Sequence, residues 1–555
     1  MQARGDTTGT DHGRVPREAD HAKEPTGPVA DIAGDTDDGA VDEAPAAGAA
    51  KRGAGEMRRS HVRGSTLLVA GRVLTILITT ATQVVLVRAL TKDDYGAFAY
   101  ALAIAAAGRT LLSLGQGKLL SQFMAKYEEQ GDYNRMFGAM FLAVGTIVVT
   151  STILVGSMFA LPGLLIGSAV EGPTTEQVVL ILVLLAPLEA LDQVFVSLFA
   201  VFSNPRAIFV RKYLLTPGLR LVIVLALAFT GSSVTFLAAG YLAAGAFGLA
   251  VYVAVFIQVM RRRDLLRHLR PRRIILPFRA VFSFSLPMIT GEFLLLSLTV
   301  GGVFVLGYYG SAAEVAGYRA VFNPSRLNNA VQQAFLPLFL PLAARLFARS
   351  DVDGLRRSYW QTAAFVAVLS FPVFALTGPL APDLTVLLFG ERYADSASIL
   401  AILSVGYYFS VVLGFNVYVL QVCERIRFLV GVNLFVMVLN IAVSLLLVHR
   451  FGGIGVAVAN LTALVVQNLL NQWALRRTIG TALIDRRCIR CYLVILAAAL
   501  TLWAIQAVFE PGLLIGLATA AVASLVVLSA SRNAIELGES FPELRKIPVV
   551  RLLVR

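Results

Sequence analysis

Apolar residues along this chain are grouped in runs of about 20, and short polar segments separate the runs. A helix of about 20 apolar residues spans the hydrocarbon core of a bilayer. The runs begin near residues 65, 96, 136, 177, 214, 234, 280, 314, 359, 395, 428, 452, 490 and 512. The pattern predicts an all-α polytopic membrane protein with about fourteen transmembrane helices.

The composition of the chain agrees with this prediction. Of the 555 residues, 57% are hydrophobic and 15% are charged, and the mean hydropathy is +0.72. Soluble domains carry about 25% charged residues. Three cysteines and five histidines exclude a disulfide scaffold and leave little material for a metal centre. We therefore expect no metal and no cofactor.

The positive net charge of the chain, +13, follows the predicted topology. Lysine and arginine are concentrated in the loops after even-numbered spans, and the most basic segment is 259–280, after span 6. Short cytoplasmic loops carry such an excess of basic residues. The alternation predicts that both termini are cytoplasmic. It explains the charge by topology, with contact to anionic lipid headgroups as a second contribution, and not by nucleic acid.

The N-terminal segment, residues 1–62, differs in composition from the rest of the chain. It is rich in Asp, Gly, Ala and Pro and contains almost no large apolar residue. Such a segment cannot bury enough surface to offset its ordering entropy, so we predict a disordered cytoplasmic tail. No apolar segment typical of a signal peptide precedes residue 65, so the first span is expected to be the targeting signal.

Three pairs of segments resemble each other at an offset of roughly 220 residues. The pairs are RALTKDDYGAFAYA with YYGSAAEVAGYRAV, FAVFSNPRAIFV with YVLQVCERIRFLV, and AFTGSSVTFLAAG with VHRFGGIGVAVAN. An even number of spans separates the copies, which indicates two parallel repeats around a central cavity. We predict an N-terminal six-helix lobe at 63–258, a basic cytoplasmic connector at 259–280, a C-terminal six-helix lobe at 281–478, transmembrane helices 13 and 14 at 479–532, and a cytoplasmic C-terminal tail at 533–555.

Charged residues inside the predicted spans are candidates for function. A charge in the middle of a membrane helix costs about 2.5–3.5 kcal/mol, so it faces a cavity or a partner. Arg319, Asn323 and Arg326 share one face of span 8, beside a kink predicted at Pro324. Arginine binds phosphate oxygens bidentately, so two arginines on one face suit a diphosphate. The other intramembrane charges are Arg72, Arg109, Arg220, Glu189, Asp192 and Glu292.

Two interpretations of these intramembrane charges stay open. In the first, the arginines bind substrate, and Glu189, Asp192 and Glu292 couple transport to an ion gradient. In the second, arginines and acids pair with each other and fix the packing of the helices. For Arg220 we expect the structural role.

Four segments of the chain occur in the order found in one transporter family. They are VRALTKDDYGAFAYALAI after the first span, FSLPMITGEFLLL from Phe284, LLFGERYADSASILAILSVGYYF from Leu387, and LLLVHRFGGIGVAVANLTALV from Leu445. Together they resemble the polysaccharide and lipid-linked oligosaccharide flippases of the multidrug/oligosaccharidyl-lipid/polysaccharide exporter superfamily. The resemblance extends over nearly all of residues 64–480, and the long acidic tail has no counterpart in the family pattern.

The resemblance implies a function in surface polysaccharide biosynthesis. A flippase of this family moves an undecaprenyl-diphosphate-linked glycan from the inner to the outer leaflet of the prokaryotic plasma (inner) membrane, by alternating access and without a covalent reaction. Arginines on its first, second and eighth helices line the headgroup cavity, and the matching positions here are Arg72, Arg109 and Arg326. We expect a monomer in the bilayer, with a polysaccharide polymerase or a glycosyltransferase as a protein partner.

Three other functions are alternatives to this one. A related transporter carries the lipid precursor of peptidoglycan or a cationic drug, but the excess of arginine over carboxylate in the spans disfavours cations. A membrane enzyme such as a polysaccharide polymerase needs positioned acids or a metal in a sizeable outer loop. No paired carboxylates stand out in the predicted outer loops, so we do not expect an enzyme. A non-transporting scaffold that uses the tail is the third alternative.

Overall fold

The structure is a computed structural model that describes residues 71, 74–113, 116–160, 172–201, 209–268, 273–278, 290–482 and 485–531. The tail predicted at 1–62, Arg72 and the tail predicted at 533–555 lie outside the described residues. In the described part of the chain, 12 helices are long and apolar enough to cross a membrane, and one shorter apolar helix precedes them. The prediction of an all-helical polytopic membrane protein is thus confirmed.

The N-terminal half of the described chain begins with the short apolar helix. Its helices are α1 Leu74–Ala89, α2 Lys92–Ser113, α3 Gln116–Glu129, α4 Tyr133–Ala160, α5 Pro173–Val183, α6 Leu185–Val201, α7 Thr216–Thr230 and α8 Val234–Arg262. A π-helical segment, Phe209–Leu215, leads into α7. Helices α5 and α6 belong to one candidate span. The interruption between them has a local cause, because Pro187 has no N–H to donate to the carbonyl of Val183.

The C-terminal half of the described chain contains the remaining helices. They are α9 Thr290–Tyr309, α10 Ala312–Ser325, α11 Leu327–Ala348, α12 Val352–Thr377, α13 Ala381–Phe389, α14 Ala397–Val412, α15 Asn416–Val422, α16 Ile426–Ile479, α17 Arg486–Phe509 and α18 Leu513–Ala530. The break predicted at Pro324 is present, because α10 ends one residue after this proline and α11 begins at Leu327.

Helix α16 contains a break that separates two candidate membrane crossings. A continuous helix of its 54 residues would be about 81 Å long, far more than a bilayer needs. Gly452 interrupts it with φ 51° and ψ −129°, a conformation that is open to glycine and closed to other residues. The break coincides with the predicted start of a span near residue 452. The total of about fourteen spans itself stays a prediction.

Helices α2 and α10, from segments that repeat in the sequence, begin with the same hydrogen-bond arrangement. The N–H of Asp94 donates to Thr91 Oγ1 over 3.1 Å, and the N–H of Glu314 donates to Ser311 Oγ over 3.2 Å. In α10 the Glu314 carboxylate also accepts from the N–H of Ser311, which completes a capping box. The similarity supports an internal repeat. The lobe boundaries stay a prediction.

The two halves pack closely where α2 meets α10 and α9. A Cβ atom on Gly96 would lie 2.0 Å from the backbone oxygen of Ala312. A Cβ atom on Gly307 would lie 2.1 Å from the ring of Tyr100. Glycine is therefore required at both positions for the helices to approach this closely. The largest apolar core includes residues of both halves at this contact.

Helices α17 and α18 pack against α12 and present apolar side chains outward. Leu493, Leu500, Leu514 and Val522 are each at least half exposed. A surface of this composition is stable against lipid chains and not against water. This pair of helices corresponds to predicted spans 13 and 14.

Candidate functional site

A cavity of about 140 Å³ lies between the two halves of the chain. Helices α1, α2, α7 and α8 form its wall on the N-terminal side, and α10 forms the wall on the C-terminal side. Its polar lining residues are Thr79, Thr82, Gln83, Tyr95, Arg220, Tyr241, Arg319 and Asn323. Two arginines, one from each half, thus line the same cavity.

Arg319 and Asn323 occupy the cavity as the spacing along span 8 predicted. They lie one helical turn apart on α10, and both line the cavity. The guanidinium carbon of Arg319 lies 5.4 Å from the centroid of the Phe322 ring, a cation–π contact. Among the residues that the structure describes, Arg319 makes no salt bridge with an acid. Its positive charge is therefore available to an anion.

Arg326 lies near this pair but does not line the cavity. It occupies the junction between α10 and α11, and its guanidinium carbon lies 5.6 Å from the centroid of the same Phe322 ring. It interacts electrostatically with Arg319. The break after Pro324 separates Arg326 from the regular face of α10, which explains why a seven-residue spacing did not bring it to the cavity. In the described part of the chain, Arg326 also has no acidic partner within salt-bridge distance.

Glu189 connects two other arginines of the N-terminal half. Its carboxylate accepts from Arg220 Nη2 over 2.8 Å and from Arg109 Nη1 over 3.4 Å. Asp192 lies one turn away on α6 and interacts electrostatically with Arg220. Arg109 thus lies in an ion-pair cluster on α2, α6 and α7 and not in the cavity lining.

Arg220 has both a pairing role and a position in the cavity wall. The pairing with Glu189 agrees with the structural role expected for it, but its side chain also lines the cavity. Its guanidinium carbon lies 5.1 Å from the centroid of the Tyr241 ring. The rotation of α7 about its axis decides which way this arginine faces, and composition alone does not reveal that rotation.

The remaining predicted acid, Glu292, lies apart from the cavity. It is half-buried on α9 and is not among the residues that line the 140 Å³ space. The structure therefore brings together Arg319 and Asn323 in the cavity, and Arg109, Glu189 and Asp192 in the adjacent cluster.

Sequence reasoning missed Gln83 and four other polar cavity residues, Thr79, Thr82, Tyr95 and Tyr241. Gln83 Nε2 donates across the two halves to the carbonyl of Ala320 over 2.8 Å and to the carbonyl of Arg319 over 3.3 Å. An uncharged amide inside an apolar run carries a weaker signal than a charge, yet it too requires partners in a membrane. The position of Gln83 in the first span was thus the signal that could have identified it.

A second contact between the halves, which we call the latch, consists of Arg88, Lys92, Arg392 and Asp395. Arg88 donates to the carbonyls of Leu387 and Leu388 over 2.6 and 3.0 Å. Arg392 donates to the carbonyls of Val87 and Arg88. These carbonyls lie in the last turns of α13 and α1, where the helix itself supplies no donor. Each arginine therefore caps the C-terminus of a helix in the other half.

The latch also contains an ion pair and an aromatic side chain. Lys92 Nζ lies 2.9 Å from Asp395 Oδ2. Tyr393 is buried between the halves, with Lys92 at 5.2 Å and Arg392 at 5.5 Å from its ring centroid. Cationic groups of both halves thus meet at one aromatic ring.

Comparison with known proteins defines the family of the chain. The profile of the family described as "Polysaccharide biosynthesis protein" matches residues 85–398, more than half of the sequence. The chain belongs to this family. The match includes α1 from Val85 onward, both sides of the cavity and the whole latch. No curated protein matches the chain significantly.

Solved structures show the fold of this family member. The inward closed conformation of the lipid II flippase MurJ is similar with a TM-score of 0.64 and 14% identity, over 87% of this chain and 99% of that chain. An inward-facing multidrug resistance MATE family transporter of the MOP superfamily is similar with a TM-score of 0.60 and 16% identity, over 74% of this chain and 96% of that one. The expectation of a polysaccharide biosynthesis family member is confirmed, and the fold is similar to that of these two transporters.

Proposed function

We propose that the protein is a flippase that moves a lipid-diphosphate-linked oligosaccharide from the inner to the outer leaflet by alternating access. The observation that carries the proposal is a pair of arginines, Arg319 on α10 and Arg326 directly after its last residue. Arg319 and Arg326 have no acidic partner among the described residues, and Arg319 faces a cavity between the halves. Keeping such charges unpaired inside a membrane protein is costly, so they are expected to bind an anionic ligand.

The substrate headgroup in this proposal is a diphosphate bound mainly by Arg319, Arg326 and Asn323. Guanidinium groups donate pairs of hydrogen bonds to phosphate oxygens, and the Asn323 amide supplies a further donor. Arg72 and Arg109 are further members of the proposed site. A cationic drug is a poorer candidate because the charged cavity-lining residues, Arg220 and Arg319, are both basic.

Alternating access explains why the cavity is small. Ligand sites commonly enclose about 300–1,000 Å³, more than the 140 Å³ present between the halves. The halves must therefore separate for the cavity to hold a complete headgroup. In the proposed topology, with about fourteen spans and both termini cytoplasmic, the latch lies on the outer side and the arginine-rich loops face the cytoplasm.

Ion coupling in this proposal centres on Glu189, with Asp192 and Glu292 as further acids. Glu189 accepts from both Arg109 and Arg220. Protonation of its carboxylate removes the negative charge that holds the two arginines, and Arg220 then becomes available to the headgroup in the cavity. Uptake of a proton would thus favour substrate binding.

The test measures lipid-linked glycan in cells that lack the protein and are complemented with variants. We expect Arg319→Ala and Arg326→Ala to insert into the membrane and to lose most of the export. Lipid-diphosphate glycan should then accumulate on the cytoplasmic leaflet, as measured by lectin or enzyme access. Arg349→Ala, which removes an exposed arginine after α11, is the matched control and should export normally.

Three outcomes would contradict the proposal. Normal export by Arg319→Ala and Arg326→Ala would show that these arginines do not bind the headgroup. An unpolymerised glycan stranded on the outer side of cells that lack the protein would indicate a polymerase. Intact surface polymer without accumulation of a lipid-linked glycan would indicate a different substrate.

A further inference from the structure

The carbonyl of Ala320 on α10 lacks its regular helical donor. In a regular helix it would accept a hydrogen bond from the N–H of the residue four positions later. That residue is Pro324, which has no N–H. Ala320 is buried, so its carbonyl needs a donor from another element.

Gln83 on α1 supplies that donor from the other half of the chain. Its Nε2 lies 2.8 Å from the Ala320 carbonyl and 3.3 Å from the Arg319 carbonyl. Only the nitrogen of the side-chain amide can donate to these two oxygens, so the oxygen, Oε1, must face the other way. There Oε1 accepts from Nδ2 of Asn323.

The bonds of Gln83 therefore join the two halves inside the cavity, beside the proposed headgroup site. Gln83, Arg319 and Asn323 all line the cavity. One amide thus contacts the backbone of α10 on one side and a proposed headgroup ligand on the other.

We propose that Gln83 is a positioning residue that holds the halves together through the carbonyl of Ala320. In a release step, Asn323 turns from Gln83 to a phosphate group that enters the cavity, and the contact between the halves weakens. We call Gln83, Ala320 and Asn323 the clamp. The second part of this inference rests on the proposed function, because it requires a phosphate group at Asn323.

Competition for the Asn323 amide, whose two N–H groups point in fixed directions, links occupancy of the cavity to the contact between the halves. The Nδ2 group of Asn323 donates to the neutral oxygen of Gln83 in the closed arrangement. A phosphate oxygen is a stronger acceptor, since charge-assisted hydrogen bonds are about twice as strong as neutral ones. When Asn323 turns to the phosphate, Gln83 loses one of its cross-half bonds. Binding of the headgroup thus weakens the clamp.

The first test measures the separation of the halves in the full-length protein in nanodiscs, without ligand. Phe229 and Phe451, which are 86% and 56% exposed, are replaced by cysteine and spin-labelled. The native cysteines Cys423, Cys488 and Cys491 are buried, so labelling is directed to the new sites. We expect Gln83→Leu to shift the distance distribution toward separated halves.

The control for this test is Thr79→Val on the same helix. Thr79 also lines the cavity, but its hydroxyl donates to carbonyls of its own helix, at Thr75 and Ile76. Its distance distribution should match that of the parent protein. An unchanged distribution in Gln83→Leu would overturn the proposal.

A second variant tests the contact between Gln83 and the Ala320 carbonyl without altering Gln83. Pro324→Ala restores an N–H that can satisfy the Ala320 carbonyl within α10. We expect it to shift the distribution in the same direction as Gln83→Leu, and the double variant to shift no further than the larger single effect. Additive shifts would show that Gln83 does not act through this carbonyl and would overturn the proposal.

The third measurement adds inorganic pyrophosphate as a diphosphate probe. We expect it to separate the halves in the parent protein and to lose this effect in Asn323→Ala, a response that a purely structural role of Gln83 would not produce. A pyrophosphate response that persists in Asn323→Ala, or none in the parent protein, would overturn the release step. Failure of the proposed function is recognised separately, by normal glycan export in Arg319→Ala.

Discussion

The clamp and the latch join the same two halves of the chain with opposite chemistry. The clamp uses neutral amide and carbonyl groups at a cavity, where Ala320 is fully buried. The latch uses charged side chains near the ends of helices, where Arg88, Arg392 and Asp395 are exposed. A neutral contact that lines a cavity responds to what enters the cavity, whereas an exposed charged contact responds to the surrounding solution.

The difference shows how one interface can have two kinds of control. Each latch arginine binds carbonyls at a helix end, and those of the exposed residues Arg88 and Leu387 can exchange the arginine for water. The Ala320 carbonyl has no water-exposed alternative while the halves are closed. We infer that the latch sets how strongly the equilibrium favours the closed halves and that the clamp sets whether separation depends on occupancy of the cavity.

The largest expected effect comes from Gly96, because its substitution disturbs the close approach of α2 and α10. A Cβ atom there would lie 2.0 Å from the backbone oxygen of Ala312, and backbone cannot move aside cheaply. We expect Gly96→Ala to destabilise the closed arrangement by about 1–3 kcal/mol through overpacking. The loss of stability is measured by thermal unfolding in detergent, and the separation of the halves by the spin-label distances.

The matched control for Gly96 is Gly145 on α4, where a Cβ atom would meet nothing within 4 Å. Gly145→Ala should be neutral or stabilising by up to about 1 kcal/mol, because alanine favours the helix more than glycine does. Equal behaviour of the two variants would show that the close approach of α2 and α10 does not hold the halves together.

The next largest effect is expected at Arg392 of the latch. Arg392→Ala removes the donors to the Val87 and Arg88 carbonyls and the charge at the C-terminus of α1. Hydrogen bonds from charged groups contribute about 1.5–3 kcal/mol, but exposure reduces this, so we expect a loss of about 1–2 kcal/mol. The separated population should rise about tenfold in spin-label measurements without ligand.

Two observations would separate this latch effect from a general effect of charge. Arg450→Ala removes another exposed arginine, near the Gly452 break, and should leave the distances unchanged. The pyrophosphate response should persist in Arg392→Ala, since the clamp is intact. A variant with unchanged distances would show that the latch carries no part of the closed state.

The fold was predictable from the sequence because the bilayer limits the length of each helix. Span starts predicted near 234 and 512 correspond to helices that begin at Val234 and Leu513. The break at Pro324 followed from a residue with special backbone properties, which act locally, and the break at Gly452 lies at a predicted span start. These features need no knowledge of which helices touch.

The site was predictable only where residues share one helix face. Arg319 and Asn323 are one turn apart, so their common face followed from helical geometry. The cavity position of Arg220 depends on how α7 is rotated, and the contact of Gln83 with Ala320 joins residues 237 positions apart. Arg88 and Arg392 of the latch bind backbone carbonyls of the other half, and a pattern of side chains in the sequence does not reveal such contacts. Tertiary packing decided each of these three features.

The smallest expected effect, and the sharpest distinction between the two contacts, concerns the pair Lys92–Asp395. The side chains are 23% and 69% exposed, and exposed pairs contribute about 0.2–1 kcal/mol. We expect Asp395→Asn to increase the separated population by less than about fivefold, and 1 M salt to produce a similar shift in the parent protein because the Debye length falls to about 3 Å. Salt should add little in Asp395→Asn, and it should not abolish the effect of Gln83→Leu. An equal rise of the separated population with salt in the parent protein and in Asp395→Asn would show that the salt-sensitive interaction is not this pair. The proposed distinction between latch and clamp would then be wrong.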